Sequence, residues 1–162
     1  MKIIDELLDK IDIKNLRKII LFLSISTFII SLTQKCYCTD ECGDSIMVLI
    51  LGFFGIISGL VGLTWYANPL LLLSWCTIND NKYSTIFSII SFVLSFSFLL
   101  FDEIMDDEAG HYSKIVSYEL GYWLWLLSTA IMVFGNLLIG RKLKKDPIKD
   151  FIKLLKIKYF AD

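Results

Sequence analysis

The 162-residue chain lacks charge over four long stretches. No Asp, Glu, Lys, Arg or His occurs in Ile19–Gln34, Ser45–Asn79, Tyr83–Phe101 or Leu120–Gly140. A soluble domain of this length would bury one ordinary core and scatter its apolar residues at amphipathic spacing, whereas uncharged blocks need lipid around them. The chain also has a single histidine, His111, and no paired carboxylates, nucleophile elbow or phosphate-binding loop accompany it. That excludes the common catalytic constellations, so neither enzymatic activity nor a cofactor is expected, and no nucleic-acid partner either. Ionisable residues at bilayer depth mark ion and proton paths. The stretches contain none, with Glu119 only at the rim, which argues against an ion-coupled transporter.

What is present is hydrophobic: 56% of the residues, gathered into those blocks. The first and last blocks would make helices of roughly 24 and 32 Å, against a hydrocarbon core of about 30 Å. The first is short, but Arg17, Lys18 and Lys35 can snorkel to the headgroups. The second block would make a helix of roughly 50 Å, too long for one crossing and too short for two with a turn. Asn68-Pro69 offers a break, because proline lacks the N–H a continuing helix needs and Asn suits an N-cap. The pattern therefore predicts spans at about 19–34, 45–66, 84–101 and 120–140. Leu70–Ile78 would be a short helix lying along the interface or kinked out of the membrane. The expected fold is all-α: a four-helix membrane domain over 19–140, an amphipathic N-terminal segment over 1–18 and a basic amphipathic tail over 141–162.

The net charge of −1 hides an asymmetry, since thirteen of the sixteen Lys and Arg residues lie before the first block or after the last. The two long connections carry only Lys35 and Lys114 against nine acids, among them Asp40, Glu41, Asp44, Asp102 and Glu103. Basic flanks stay in the cytoplasm, which places both tails inside and the acidic loops outside. The first block reads as retained rather than cleaved, because Met1–Lys18 is long and patterned, unlike a short basic leader. Lipid attachment at Cys36 is not expected, since Thr33, Gln34 and Lys35 do not make the small-residue site it requires.

Both tails alternate apolar and charged residues at helical spacing, the mark of helices lying on a membrane. Arg141, Lys142, Lys144 and Lys145 would meet anionic headgroups or simply anchor the topology. Within the spans, Gly52, Gly55, Gly59 and Gly62 form one stripe of the second helix, and Ser84, Ser88, Ser91 and Ser95 a matching stripe of the third. Ser24, Thr27 and Ser31 mark the first helix, and Gly121, Ser128 and Gly135 the fourth. Lipid supplies no hydrophobic drive for helix association, so small residues mark contact faces. The glycine stripe is expected to lie against the serine stripe. Asn136 reads as a cross-helix hydrogen bond.

Three cysteines, Cys36, Cys38 and Cys42, share the first outer loop, and Cys76 falls at the opposite face. An oxidising compartment favours a disulfide from Cys42 to Cys36 or Cys38 over free thiols, and both over a metal site, which lacks a fourth ligand. The acidic residues Asp102, Glu103, Asp106, Asp107 and Glu108 match no calcium-loop spacing and read as solvated outer charge.

Trp65-Tyr66-Ala67-Asn68-Pro69-Leu70 and Gly121-Tyr122-Trp123-Leu124-Trp125 resemble a Trp-x-Ala-Asn-Pro-Leu and Gly-Tyr-x-Leu-Trp pattern of small bacterial four-helix membrane proteins. The resemblance implies a bacterial inner membrane and this topology, and it transfers no activity. Placement alone puts Trp65 and Tyr66 at one interface and Trp123 and Trp125 at the other, as an aromatic belt. The function expected from these features is non-catalytic and exerted through protein contact, as an accessory subunit, regulator or immunity-type protein. The partners would be the bilayer and another protein or a second copy. The rival is an oligomeric small-solute channel or transporter with a serine-lined path.

Overall fold

The computed structural model describes residues 11–53, 60–105 and 112–159, and the side chains among them except those of 60, 105 and 145–159. Along the chain come α1 (Ile13–Leu32), β1 (Lys35–Cys38), β2 (Cys42–Asp44), α2 (Ser45–Leu51), α3 (Leu60–Leu63), α4 (Ala67–Cys76) and α5 (Asn81–Ser97). Then follow β3 (Glu103–Met105), β4 (Tyr112–Lys114), β5 (Ser117–Tyr118) and α6 (Leu120–Tyr159). Most of this is helix, but the small sheets mean that the protein is not purely all-α.

Three helices are long and apolar enough to cross a membrane: Ile13–Leu32, Asn81–Leu100 (α5 with its terminal 3-10 turn) and the Leu120–Lys144 part of α6. Their outward faces are apolar, with Phe22 71% and Phe134 64% exposed, while Ser24, Ser84, Ser91, Ser128 and Asn136 are fully buried. Polar inside and apolar outside is the reverse of a soluble domain and consistent with a membrane protein.

Each element has a local cause. Asp80 caps α5, its carboxylate accepting from the Lys82 and Tyr83 amides at 3.1 and 3.4 Å. At the end where α1 finishes and α6 begins, the backbone leaves the helices and must find other partners. It finds them in short antiparallel strands: β1 pairs with β2 through Lys35↔Asp44 and Cys38↔Cys42, and with β5 through Tyr37↔Tyr118. A second pair, β3 with β4, registers Ile104 against Ser113. The Ser45 amide donates to the Gln34 carbonyl, and the Glu119 amide to that of Cys36, so strands and helices share one hydrogen-bonded cap. We call this the sheet end. At the opposite, tail end, Arg17 donates to the Asn79 carbonyl at 3.1 Å and the buried Lys142 ammonium to the Ile11 carbonyl.

The second uncharged block departs from expectation. Ser45–Tyr66 is not one straight helix, because the Trp65 indole N–H donates to the Leu49 carbonyl at 2.8 Å. Sixteen residues along a straight helix would separate the two by about 24 Å. Among the described residues, helix covers Ser45–Leu51 with a short 3-10 turn after it, and from Leu60 α3 runs through the 3-10 turn Thr64–Tyr66 into α4. Asn68-Pro69 lies within α4, so helical structure is not broken there. In α4, Leu71 and Ser74 are fully buried against the bundle while Leu72, Leu73 and Cys76 are exposed, so the expected short helix packs one face inward.

The basic tail is helical but does not begin a separate element at Pro147, since α6 is continuous to Tyr159. A missing hydrogen bond and the ring clash cost about 3 kcal/mol, and a helix already propagated over many turns needs no new nucleation. Residues 1–10, and with them most of the expected N-terminal amphipathic face, lie outside the described residues.

Candidate functional site

The interior is a ladder of short polar side chains, each satisfied by a neighbouring helix or its own. Ser84, Ser88, Ser91 and Ser95 all lie on the buried face of α5. Ser84 Oγ donates to the Ser74 carbonyl at 2.8 Å and lies 3.1 Å from Asn136 Oδ1, while Asn136 Nδ2 donates to Ser88 Oγ at 3.1 Å. Ser91 Oγ donates to the Ala67 carbonyl at 2.7 Å, and Ser95 Oγ pairs with Thr129 Oγ1 at 3.1 Å. Ser24 joins α1 to this set: its hydroxyl donates to the Ser128 carbonyl at 2.9 Å and accepts from the Trp75 indole at 2.9 Å. A hydroxyl left unpaired at this depth would cost several kcal/mol, so each donor is used.

The serine stripe therefore faces α4 and α6, and Gly52 of the glycine stripe does not meet it. Gly52 packs on Trp65 instead, where an added Cβ would come 2.1 Å from the indole Cδ1. Gly55 and Gly59 lie outside the described residues. Gly62 is buried and lines the cavity described below. The small residues of α1 and α6 do meet: a Cβ on Gly135 would lie 2.4 Å from Ile20 Cγ2. Gly121 abuts the Lys35 carbonyl and the Ser45 hydroxyl, at 2.5 and 2.2 Å from the same imagined atom.

Asn68 is not a cap. Pro69 has no N–H to give the Trp65 carbonyl four residues back, and Asn68 Nδ2 donates to that oxygen at 3.0 Å in its place. Its Oδ1 then accepts from the Trp125 indole at 2.9 Å. Trp65, Asn68 and Trp125 thus converge on one spot, which overturns the placing of Trp65 and Trp125 at opposite interfaces. Trp123, near the start of α6, is exposed.

Where α2 stops after seven residues, packing gives way to a cavity of about 1150 Å³ beneath the β1–β2 hairpin. Its walls are apolar and aromatic, from Phe28 and Leu49 to Trp65, Phe98 and Trp125. Its rim is the hairpin, with Asp40, Glu41 and Asp44; Asp44 pairs with Lys35 at 2.8 Å. The sulfur atoms of Cys38 and Cys42 lie at disulfide distance across the hairpin, which selects one of the two expected pairings. Closing so small a ring contributes about 2 kcal/mol through chain entropy. Cys36 is the free thiol, buried below the hairpin, and Cys76 is free and exposed. Burial pushes the Cys36 thiol up to about 11, against a smaller opposing pull from the neighbouring Ser45 hydroxyl.

At the tail end, Arg141 and Lys144 are exposed, whereas Lys142 is buried and bound to Ile11, so it is not available to headgroups. The Lys145 side chain, Asp106, Asp107, Glu108 and His111 lie outside the described residues. Sequence reasoning missed Ser74, Trp75, Trp125 and Thr129 as hydrogen-bond partners. Tryptophans within an apolar run were the available signal, because a buried indole N–H needs an acceptor.

Comparison of the chain with protein-family models, curated proteins and solved structures finds no match.

Proposed function

We propose that the chain is a non-catalytic integral membrane protein that acts through contact with another protein, as an accessory subunit, regulator or immunity-type guard. We further propose four crossings of a bacterial inner membrane with both termini cytoplasmic. The second crossing would be made in pieces by α2, α3 and α4. The concentration of Lys and Arg in the two tails supports that orientation. So does the meeting of Ile11, Arg17, Asn79 and Lys142 at one end.

The observation that carries the reading is the fate of the serine stripe. All four hydroxyls are fully buried and bound within the bundle, each to a group on α4 or α6. A serine-lined water path would need them turned to a lumen, so the solid interior favours work done at the surface.

Reconstitution into liposomes with a solute-flux assay tests the choice. No specific flux is expected, and flux abolished by Ser91→Leu would overturn the proposal. A photocrosslinking residue at Thr39, on the exposed hairpin, should trap a discrete protein adduct in cells. Lipid adducts alone would count against a protein contact there.

A further inference from the structure

The cavity under the hairpin combines features that select a ligand by both shape and charge. Its volume, about 1150 Å³, exceeds what a single small ligand needs. Five aromatic rings, Phe28, Tyr37, Trp65, Phe98 and Trp125, contribute to its walls, and ring faces attract cations whose hydration shell is weak. The rim carries three carboxylates, and no Lys or Arg is found among the described residues that line the cavity. Asp44 is engaged by Lys35, which leaves Asp40 and Glu41 exposed at the mouth.

The surrounding charge has the same sign. Among the described residues, the sheet end holds Asp40, Glu41, Asp44, Asp102, Glu103 and Glu119 against Lys35 and Lys114.

We propose that this cavity binds a hydrophobic cation, a small molecule with an apolar or aromatic body around a delocalised or quaternary positive charge. The body fills the aromatic walls and the charge lies below Asp40 and Glu41. Anions are repelled by the rim, and strongly hydrated cations such as primary ammonium ions lose more water than the walls replace. The site does not rest on the protein-contact reading above, and either can fail without the other.

The test uses the full chain in phosphatidylcholine nanodiscs, titrated with tetraphenylphosphonium. Trp65 and Trp125 stand in the wall, so binding should change the indole fluorescence saturably, beyond the partitioning seen with empty nanodiscs. Tetraphenylborate, alike in shape and opposite in charge, should bind about tenfold more weakly or not at all. The double variant Asp40→Asn, Glu41→Gln alters two exposed side chains and should leave Tm unchanged, while weakening tetraphenylphosphonium about fivefold.

A signal no greater than in empty nanodiscs would mean that lipid chains fill the cavity, and would overturn the proposal. Equal binding of the two ions, or no effect of the double variant, would do the same. So would a protein crosslinked at Met47 that tetraphenylphosphonium does not displace.

Discussion

The tail half and the sheet half of this molecule solve the same problem differently. Toward the tail end, α4, α5 and α6 touch along their lengths, and side chains on one helix satisfy those on the next: Asn136 alone joins Ser84 and Ser88. Toward the sheet end the helices run out. α2 lasts seven residues, and the backbone itself takes over in strands β1, β2 and β5. Helix contact leaves no space, whereas strands tie only the rim, so a cavity remains under them. The difference shows that side chains on touching helices fill the space between them, whereas strands that tie only the rim leave a cavity below.

The largest effect should come from the sheet end, where α6 starts against β1 and α2. Gly121→Val would drive a side chain into the Lys35 carbonyl, a backbone atom that cannot rotate away. The expected loss is about 3 kcal/mol, read as a lowered Tm in detergent. A loss below 1 kcal/mol would mean that the sheet end yields more readily than the comparison holds.

Asn136→Ala probes the other half. It removes the bonds to Ser84 and Ser88 and should cost about 2 kcal/mol. Ser91→Ala removes one bond to a single carbonyl and should cost about 0.6 kcal/mol, the usual worth of such a contact in a membrane. Equal costs for the two would show that the ladder acts as separate rungs rather than through Asn136.

The smallest effect concerns the thiols. At neutral pH, exposed Cys76 should alkylate readily while buried Cys36 resists until the protein unfolds. The folded Cys36 thiol, at about 11, lies above its ordinary 9.0, so the neutral form is the one the fold favours. Its contribution to stability is complete below pH 9 and is lost as pH rises toward 11, which a Tm series over that range would detect. Rapid labelling of Cys36 at neutral pH would mean that the sheet end opens.

Much of the helical frame could be read from residue order. Absence of charge is a local property, and it marked the blocks that became α1, α5 and the first part of α6. Serine spacing of four, three and four is likewise local, and it put Ser84, Ser88, Ser91 and Ser95 on one face. Which helix meets that face is not local. Gly52 had the same rhythm and a short connection to recommend it, yet Trp65 occupies the ground in front of it.

The sequence by itself determined that long apolar helices would form and which side of each would be small and polar, because hydropathy and period are carried by neighbouring residues. Only the tertiary structure decided that Asn68 would serve Trp65 and Trp125 rather than cap a helix. It alone chose Cys38 over Cys36 as the partner of Cys42, and left a cavity under their hairpin. Those outcomes depend on where distant backbone segments come to rest, and no spacing along the chain encodes that distance.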